Sequence, residues 1–245
     1  MSEPEKLQTV SDIVRKDYRT ADVFKKWGVN YCCGGNLPLD QVCLTLNLDK
    51  EKIEAELKTA TQNVKLSNAL SFDEWPFDFL VDYIVHVHHG YVKIAGPKLN
   101  QLLFQFVEGH KTKYPYLVKV QATFDCLLGE LTEHLAKEEQ VIFPYIKQVN
   151  NSFINKASYG ALFVRTLQKS LTHVIEVEHH NLANLLTELR SATDNYTFNE
   201  KACTNHQVIY HKLKEFDADI MQHKHLENNI LFPKAMQMEK ELLQL

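Results

Sequence analysis

Glycine and proline are scarce, 8 and 7 among 245 residues, which excludes collagen-like repeats and low-complexity disordered tracts. Cysteine does not supply a secreted disulfide framework: there are five, an odd number, and Cys32 and Cys33 are adjacent. Reduced thiols are the expectation. A basic excess is also missing. The 27 Lys and Arg stand against 31 Asp and Glu, a formal net charge of -4, which argues against a protein that tracks nucleic-acid phosphates. No uncharged apolar run approaches the roughly 20 residues needed to span a bilayer. The opening MSEPEKLQTV lacks both the basic and the apolar part of a signal peptide. The expectation is a soluble, cytoplasmic protein with neither nucleic acid nor membrane as partner.

What glycine and proline there is clusters early, at Gly28, Gly34, Gly35 and Pro38. Beyond them apolar residues recur three and four apart over long stretches, so the chain reads as all-α. Short helices are predicted around Ile13, over 20–27, after Pro38 and after Asp49, with a turn at 32–35. Residues 1–60 thus read as a small helical N-terminal domain. A polar linker covers 61–72, and Ser71 with Glu74 makes a capping-box pattern ahead of Pro76. Residues 73–245 read as four long helices, near 74–108, 117–150, 159–191 and 201–243, and their modest connections favour an antiparallel four-helix bundle. Gly96-Pro97 inside the first is expected to kink it.

Histidine is the unusual component, with 12 residues, several of them near glutamates. Two segments echo one another: His134 to Pro144 (HLAKEEQVIFP) and His223 to Pro233 (HKHLENNILFP) both read H-x3-E-x4-F-P. A spacing of four stacks His and Glu on one helix face, close enough to hold one ion or two adjacent ions. Placed at 100° per residue, His134 and Glu138 fall with Leu127, Leu131 and Tyr145, and His223 and Glu227 with Ile209, Phe216, Ile220 and Ile230. Four ionisable side chains therefore point into the core, where pairing or a metal is needed to compensate them. His180, His211 and His225 point outward by the same count.

The other two long helices each carry a histidine doublet, His88-His89 and His179-His180. His179 lies at the edge of the stripe of Ile175, Leu182 and Leu186 and is the candidate on its helix. On the first helix the periodicity favours His88, central among Val81, Ile84 and Tyr91, and leaves His89 near the edge. Spacing does not decide between them. His110, His173 and His206 read as surface or capping residues, and Cys43, Cys126 and Cys203 as structural. Four imidazoles and two carboxylates exceed a structural zinc site, and neither HExxH nor CxxC is present. The set suits two iron or manganese ions, each with two histidines, bridged by both glutamates, with positions open for O2, NO, peroxide or water. Glu130, one turn before His134, and Glu178, beside His179, are candidates for an access or exit route.

These motifs carry a resemblance. Asp82 to His89, His134 to Glu139, Glu176 to His179 and His223 to Pro233, together with Asn30-Tyr31-Cys32-Cys33-Gly34-Gly35, resemble the repair-of-iron-centres family of hemerythrin-like di-iron proteins over nearly the whole chain. The resemblance implies two non-haem irons per chain, bound by His89, His134, His179 and His223. Glu138 and Glu227 would bridge them with an oxo or hydroxo group, and His89 is selected over His88. It further implies a cytoplasmic homodimer that restores iron-sulfur clusters damaged by NO or oxidants, by donating iron, reducing NO, or both. Cys32 and Cys33 become candidates for thiol chemistry or iron transfer. Oxygen carriers of the hemerythrin type resemble the chain too, but they use a fifth histidine four residues after the third-helix ligand, where Ala183 stands here. A helical sensor module is the third reading.

Overall fold

The computed structural model describes residues 8–32, 35–62, 70–199 and 201–244, and between 167 and 178 its backbone alone. The described residues are helical apart from turns and one isolated bridge, Thr9 to Pro38. They divide into two compact units, residues 1–68 with 196–213, and 69–195 with 214–245.

In the smaller unit four short helices form where the sequence signals place them: α1 (Val10–Lys16), α2 (Thr20–Lys26), α3 (Leu39–Leu46) and α4 (Lys50–Ala60). Thr9 and Asp12 cap α1 reciprocally, each side chain accepting the other's backbone N–H. Asp49 accepts from the Lys52 N–H to start α4. Asn47, left-handed at φ 51°, ends α3. Val10, Val14, Phe24 and Ile53 fill the core. The cysteine turn is tied to α1 on both sides, because the Ser11 hydroxyl donates to the Tyr31 carbonyl (2.5 Å) and the Ser11 N–H to the Gly35 carbonyl (2.9 Å). Cys32 lies between these ties, half-buried; Cys33 and Gly34 are outside the described residues.

The division differs from the expected domain of 73–245, since residues 196–213 cluster with the smaller unit. Side chains explain it: His211 stacks on Tyr18 with centroids 5.0 Å apart, and Lys212 pairs with Asp22 at 2.7 Å. A helix-period pattern continues unchanged through this boundary, so the sequence carries no break there. His206 also departs from its expected surface role, being buried against Tyr210. Cys43 is buried, whereas Cys126 is exposed and has no packing role.

The larger unit is a bundle of four long helices. The first combines α5 (Phe77–Tyr83), a π-helical turn (Ile84–His89) and α6 (Gly90–His110). The second combines α7 (Leu117–Lys137), a π turn (Glu138–Ile142) and α8 (Phe143–Ile154). The third is the continuous α9 (Gly160–Ala192), and the fourth is the part of α10 (Thr204–Leu226) from Lys214 on, a π turn (Glu227–Leu231) and α11 (Phe232–Leu242). Packing of α5 on α8 and of α6 on α7 makes the first two helices antiparallel, while α8 beside α11 makes the second and fourth parallel. Ser71 precedes a single 3-10 turn (Phe72–Glu74) without a side-chain capping bond, so the expected capping box does not form, and Pro76, whose φ is fixed, opens α5. Through Gly96 and Pro97 α6 continues unbroken. Along the second and fourth helices, buried Leu127, Leu131 and Ile220 precede the ligand-type residues, and Ile142, Ile146 and Leu231 follow them.

The tie between the cysteine turn and α1 depends on Gly35. A Cβ there would sit 2.5 Å from the Tyr31 carbonyl oxygen and from the Ser11 hydroxyl, and a backbone atom cannot yield as a side chain can. Gly35→Ala is expected to cost the smaller unit about 1–3 kcal/mol. Denaturant unfolding followed by Trp27 emission in a Trp75→Phe background measures it, and an unchanged midpoint would contradict the anchoring.

Candidate metal centre

Each half of the echo builds the same local structure. The backbone N–H of Phe143 donates to the Glu138 carbonyl and that of Phe232 to the Glu227 carbonyl, both i→i+5 bonds of a π turn. Pro144 and Pro233 follow at once. Having no N–H and a ring that crowds the preceding turn, a proline disfavours the ordinary i→i−4 ladder there. The phenylalanines then reach histidines from the other helices: Phe143 stacks on His89 (5.5 Å, 22°), and Phe232 lies 6.1 Å from His179.

The structure brings His89, His134, His179, His223, Glu138 and Glu227 together. All six are buried, both glutamates completely. They form two quartets, His89, His223, Glu138, Glu227 and His134, His179, Glu138, Glu227, within each of which the ligand atoms lie within 4.8 Å of one another. Nε2 of His89 is 3.1 Å from Nε2 of His223, and Nε2 of His179 is 3.1 Å from Nε2 of His134. Glu138 presents Oε2 to His89 (3.4 Å) and His223 (3.8 Å), and Oε1 to His134 (3.2 Å) and His179 (3.8 Å). Glu227 presents Oε1 to His223 (2.7 Å) and Oε2 to His179 (3.5 Å). Each carboxylate thus offers one oxygen to each histidine pair.

This donor set fits cations. Imidazole nitrogens at 3.1 Å need a proton or a cation between them, and ligands at about 2 Å from one ion stand about 3 Å apart. Both oxygens of Glu138 and Oε2 of Glu227 are buried without a hydrogen-bond partner, a costly state that a metal relieves. Burial pushes Glu138 up, but the imidazoles around it, those of His179 and His89 foremost, outweigh burial and hold the carboxyl well below its ordinary range. Burial together with the Glu138 charge raises Glu227 well above that range. For His179 burial opposes protonation, but the nearby carboxylates of Glu138 and Glu227 prevail and raise it. Burial brings His223 down to about 4, leaving a neutral imidazole, the form that binds a metal.

His88 is also buried, but it turns elsewhere: its Nδ1 pairs with Asp219 Oδ1 at 2.9 Å and its ring stacks 6.0 Å from that of His223. Periodicity at 100° per residue misplaced this doublet because the π turn over Ile84–His89 adds a residue to the helical turn and shifts the phase. His180, His211 and His225 are exposed, as the helical count places them. Glu130 is exposed and belongs to neither quartet. Glu178 lies on α9, its side chain outside the described residues.

Sequence reasoning missed the groups behind the ligands. The residue after each echo glutamate serves the histidine of a helix that lacks a pair: Glu139 Oε1 accepts from His89 Nδ1 and Asn228 Oδ1 from His179 Nδ1, both at 2.8 Å. Lys93 pairs with Glu139 in turn (2.6 Å), and the buried Lys224 ammonium donates to the His179 carbonyl (2.8 Å). Position six of the echo was the available signal, and it attracts no notice because it differs, Glu139 in one copy and Asn228 in the other.

Residues 80–235 match the Hemerythrin HHE cation binding domain, and residues 6–61 match ScdA_N, a domain of unknown function. Over 221 residues the chain is 32% identical to the iron-sulfur cluster repair proteins YtfE of Yersinia pestis (strain Pestoides F) and Yersinia pseudotuberculosis (serotype O:1b), covering 90% of this chain and 93% of theirs. The chain belongs to the hemerythrin-domain family of iron-sulfur cluster repair proteins. The cation-binding match spans the helices that carry both quartets, and the ScdA_N match spans α1 to α4 with the cysteine turn.

Glu138→Ala or Glu227→Ala is expected to lower metal content below one ion per chain, because each removes an oxygen from both quartets. His89→Ala is expected to lose metal, and His88→Ala to retain it with reduced stability. Metal analysis of the purified variants checks all four, and metal retained by His89→Ala but lost by His88→Ala would reverse the assignment. The pH dependence has a definite sign. The raised Glu227 and His179 hold protons in protein stripped of metal, and an entering cation must displace them, so binding releases protons and affinity falls as pH falls. Calorimetric titration with ferrous ion in buffers of different ionisation enthalpy measures the number released, and none released would contradict the raised groups.

Proposed function

We propose that the protein repairs iron-sulfur clusters damaged by nitrosative or oxidative stress, by supplying iron held between His89, His223, His134, His179 and the shared Glu138 and Glu227. The observation that carries this reading is the sharing itself. Each cation position has two imidazoles and one oxygen from each glutamate, four protein donors in all, so a six-coordinate ion keeps open positions. A bound pair of irons would supply redox chemistry and open sites for a small ligand such as NO or O2. The protein's own groups hold the ions by neutral imidazoles and keep the pocket dry with Phe143 and Phe232. Ala183, four residues after His179, offers no fifth imidazole, which favours release or reactivity over reversible O2 storage.

The clients are damaged iron-sulfur proteins, and a cytoplasmic homodimer is the setting that the family resemblance implies. No helix among the described residues is long and apolar enough to cross a membrane. Cys32, half-buried in a turn anchored at both ends, would receive or pass iron together with Cys33. Glu130, exposed one turn from His134, and Glu178 would line the exit route.

The test follows the metal itself. Full-length protein loaded with 57Fe is mixed with an NO-damaged [4Fe-4S] enzyme, and label appearing in the restored cluster is the expected result. Restoration without label would remove iron donation and leave NO consumption as the activity. The Cys32→Ser, Cys33→Ser double variant is expected to keep its iron and deliver it more slowly. Substitution is preferable to truncation at the linker, because residues 196–213 cluster with the smaller unit and would lose their packing partners.

A further inference from the structure

The echo makes the two cation positions equivalent in their direct donors and unequal behind them. At the first position His89 donates from Nδ1 to a carboxylate, Glu139, which Lys93 holds through both oxygens at 2.6 and 2.7 Å. At the second, His179 donates from Nδ1 to the neutral amide oxygen of Asn228, a residue exposed to water. A carboxylate accepting from a ligand imidazole makes a charge-assisted bond and raises the basicity of the metal-facing nitrogen; an amide does so less. The charges of the described residues lean the same way. Asp219 stands on the first side, paired to His88 whose ring lies on His223. The buried Lys224 ammonium stands on the second, on the main chain of His179. Extra negative charge near one cation and extra positive charge near the other both bind the first more tightly.

We propose that the two positions differ in lability, with Glu139 and Asn228 as the positioning residues that set the difference, and that the ion between His134 and His179 is the one given up. The assignment of that ion as cargo rests on the iron-supplying function proposed above; the difference in lability does not.

The experiment uses full-length protein loaded anaerobically with two ferrous ions per chain and challenged with excess of a coloured ferrous chelator. Two release phases of equal amplitude are expected. Asn228→Asp should slow the fast phase by about ten-fold or more and leave the slow phase, and Glu139→Gln should accelerate the slow phase by a similar factor. Lys93→Met separates positioning from simple loosening of the helices, since it leaves the Glu139 carboxylate to accept from His89 and should keep the slow phase slow. A single phase in the unaltered protein, or Asn228→Asp acting on the slow phase, overturns the proposal. The predicted phases in a protein that transfers no label to a damaged cluster would count against the cluster-repair reading alone. Label transfer from a protein with a single phase would count against the inequality alone.

Discussion

Two glutamates, each wholly buried and each facing the same four imidazoles, set the terms for the larger unit. Carboxylates in a helical core cost several kcal/mol each when uncompensated, of that order even after relaxation, and two side by side resist ionising together. Their environments are already pushed apart, with Glu138 held ionised by its histidines and Glu227 held toward the neutral form by burial and by Glu138. Cations resolve the conflict, because each oxygen then gains a partner and the histidines need no protons. The apolar layers before and after the cluster on the second and fourth helices exclude the water that would otherwise screen it. The arrangement is therefore a poor hydrophobic core and a good cation site.

Much of this was legible, because helical spacing is a local rule. The four-residue step from His134 to Glu138 and from His223 to Glu227 fixes their shared face whatever the rest of the chain does, and the small helices announced themselves through Pro38, Asp49 and the thinning of glycine. The doublet His88-His89 was not legible by the same rule. A constant angle per residue fails inside a π turn, and the first helix has no proline just behind its π turn to betray it, Pro97 lying a further two turns on. The partners behind the ligands were hidden for a different reason. Glu139 and Asn228 serve histidines on other helices, so their role exists only in the assembled bundle. The membership of residues 196–213 in the smaller unit is likewise a matter of tertiary contacts such as Tyr18 on His211.

The π turns join these two lessons. They are rare, and here three of them fall at the buried His/Glu positions: one ends on His89, one starts at Glu138 and one starts at Glu227. In the second and fourth helices the following proline already denies the ordinary ladder a donor, so the wider turn costs less there than it would elsewhere. What it achieves is a change of phase within one helix, so that the later phenylalanine reaches a histidine that the glutamate also faces. Glu138 faces all four histidines, while Phe143, five residues on, covers His89. The Glu227 and Phe232 pair repeats this against His179. A uniform α-helix would swing the phenylalanine to another azimuth, leaving the imidazole without its apolar cover. The H-x3-E-x4-F-P segment thus encodes a buried His/Glu pair, a break in helical phase and an apolar cover in eleven residues, and its repetition in two parallel helices brings together two His/Glu quartets with the donor set of a cation site.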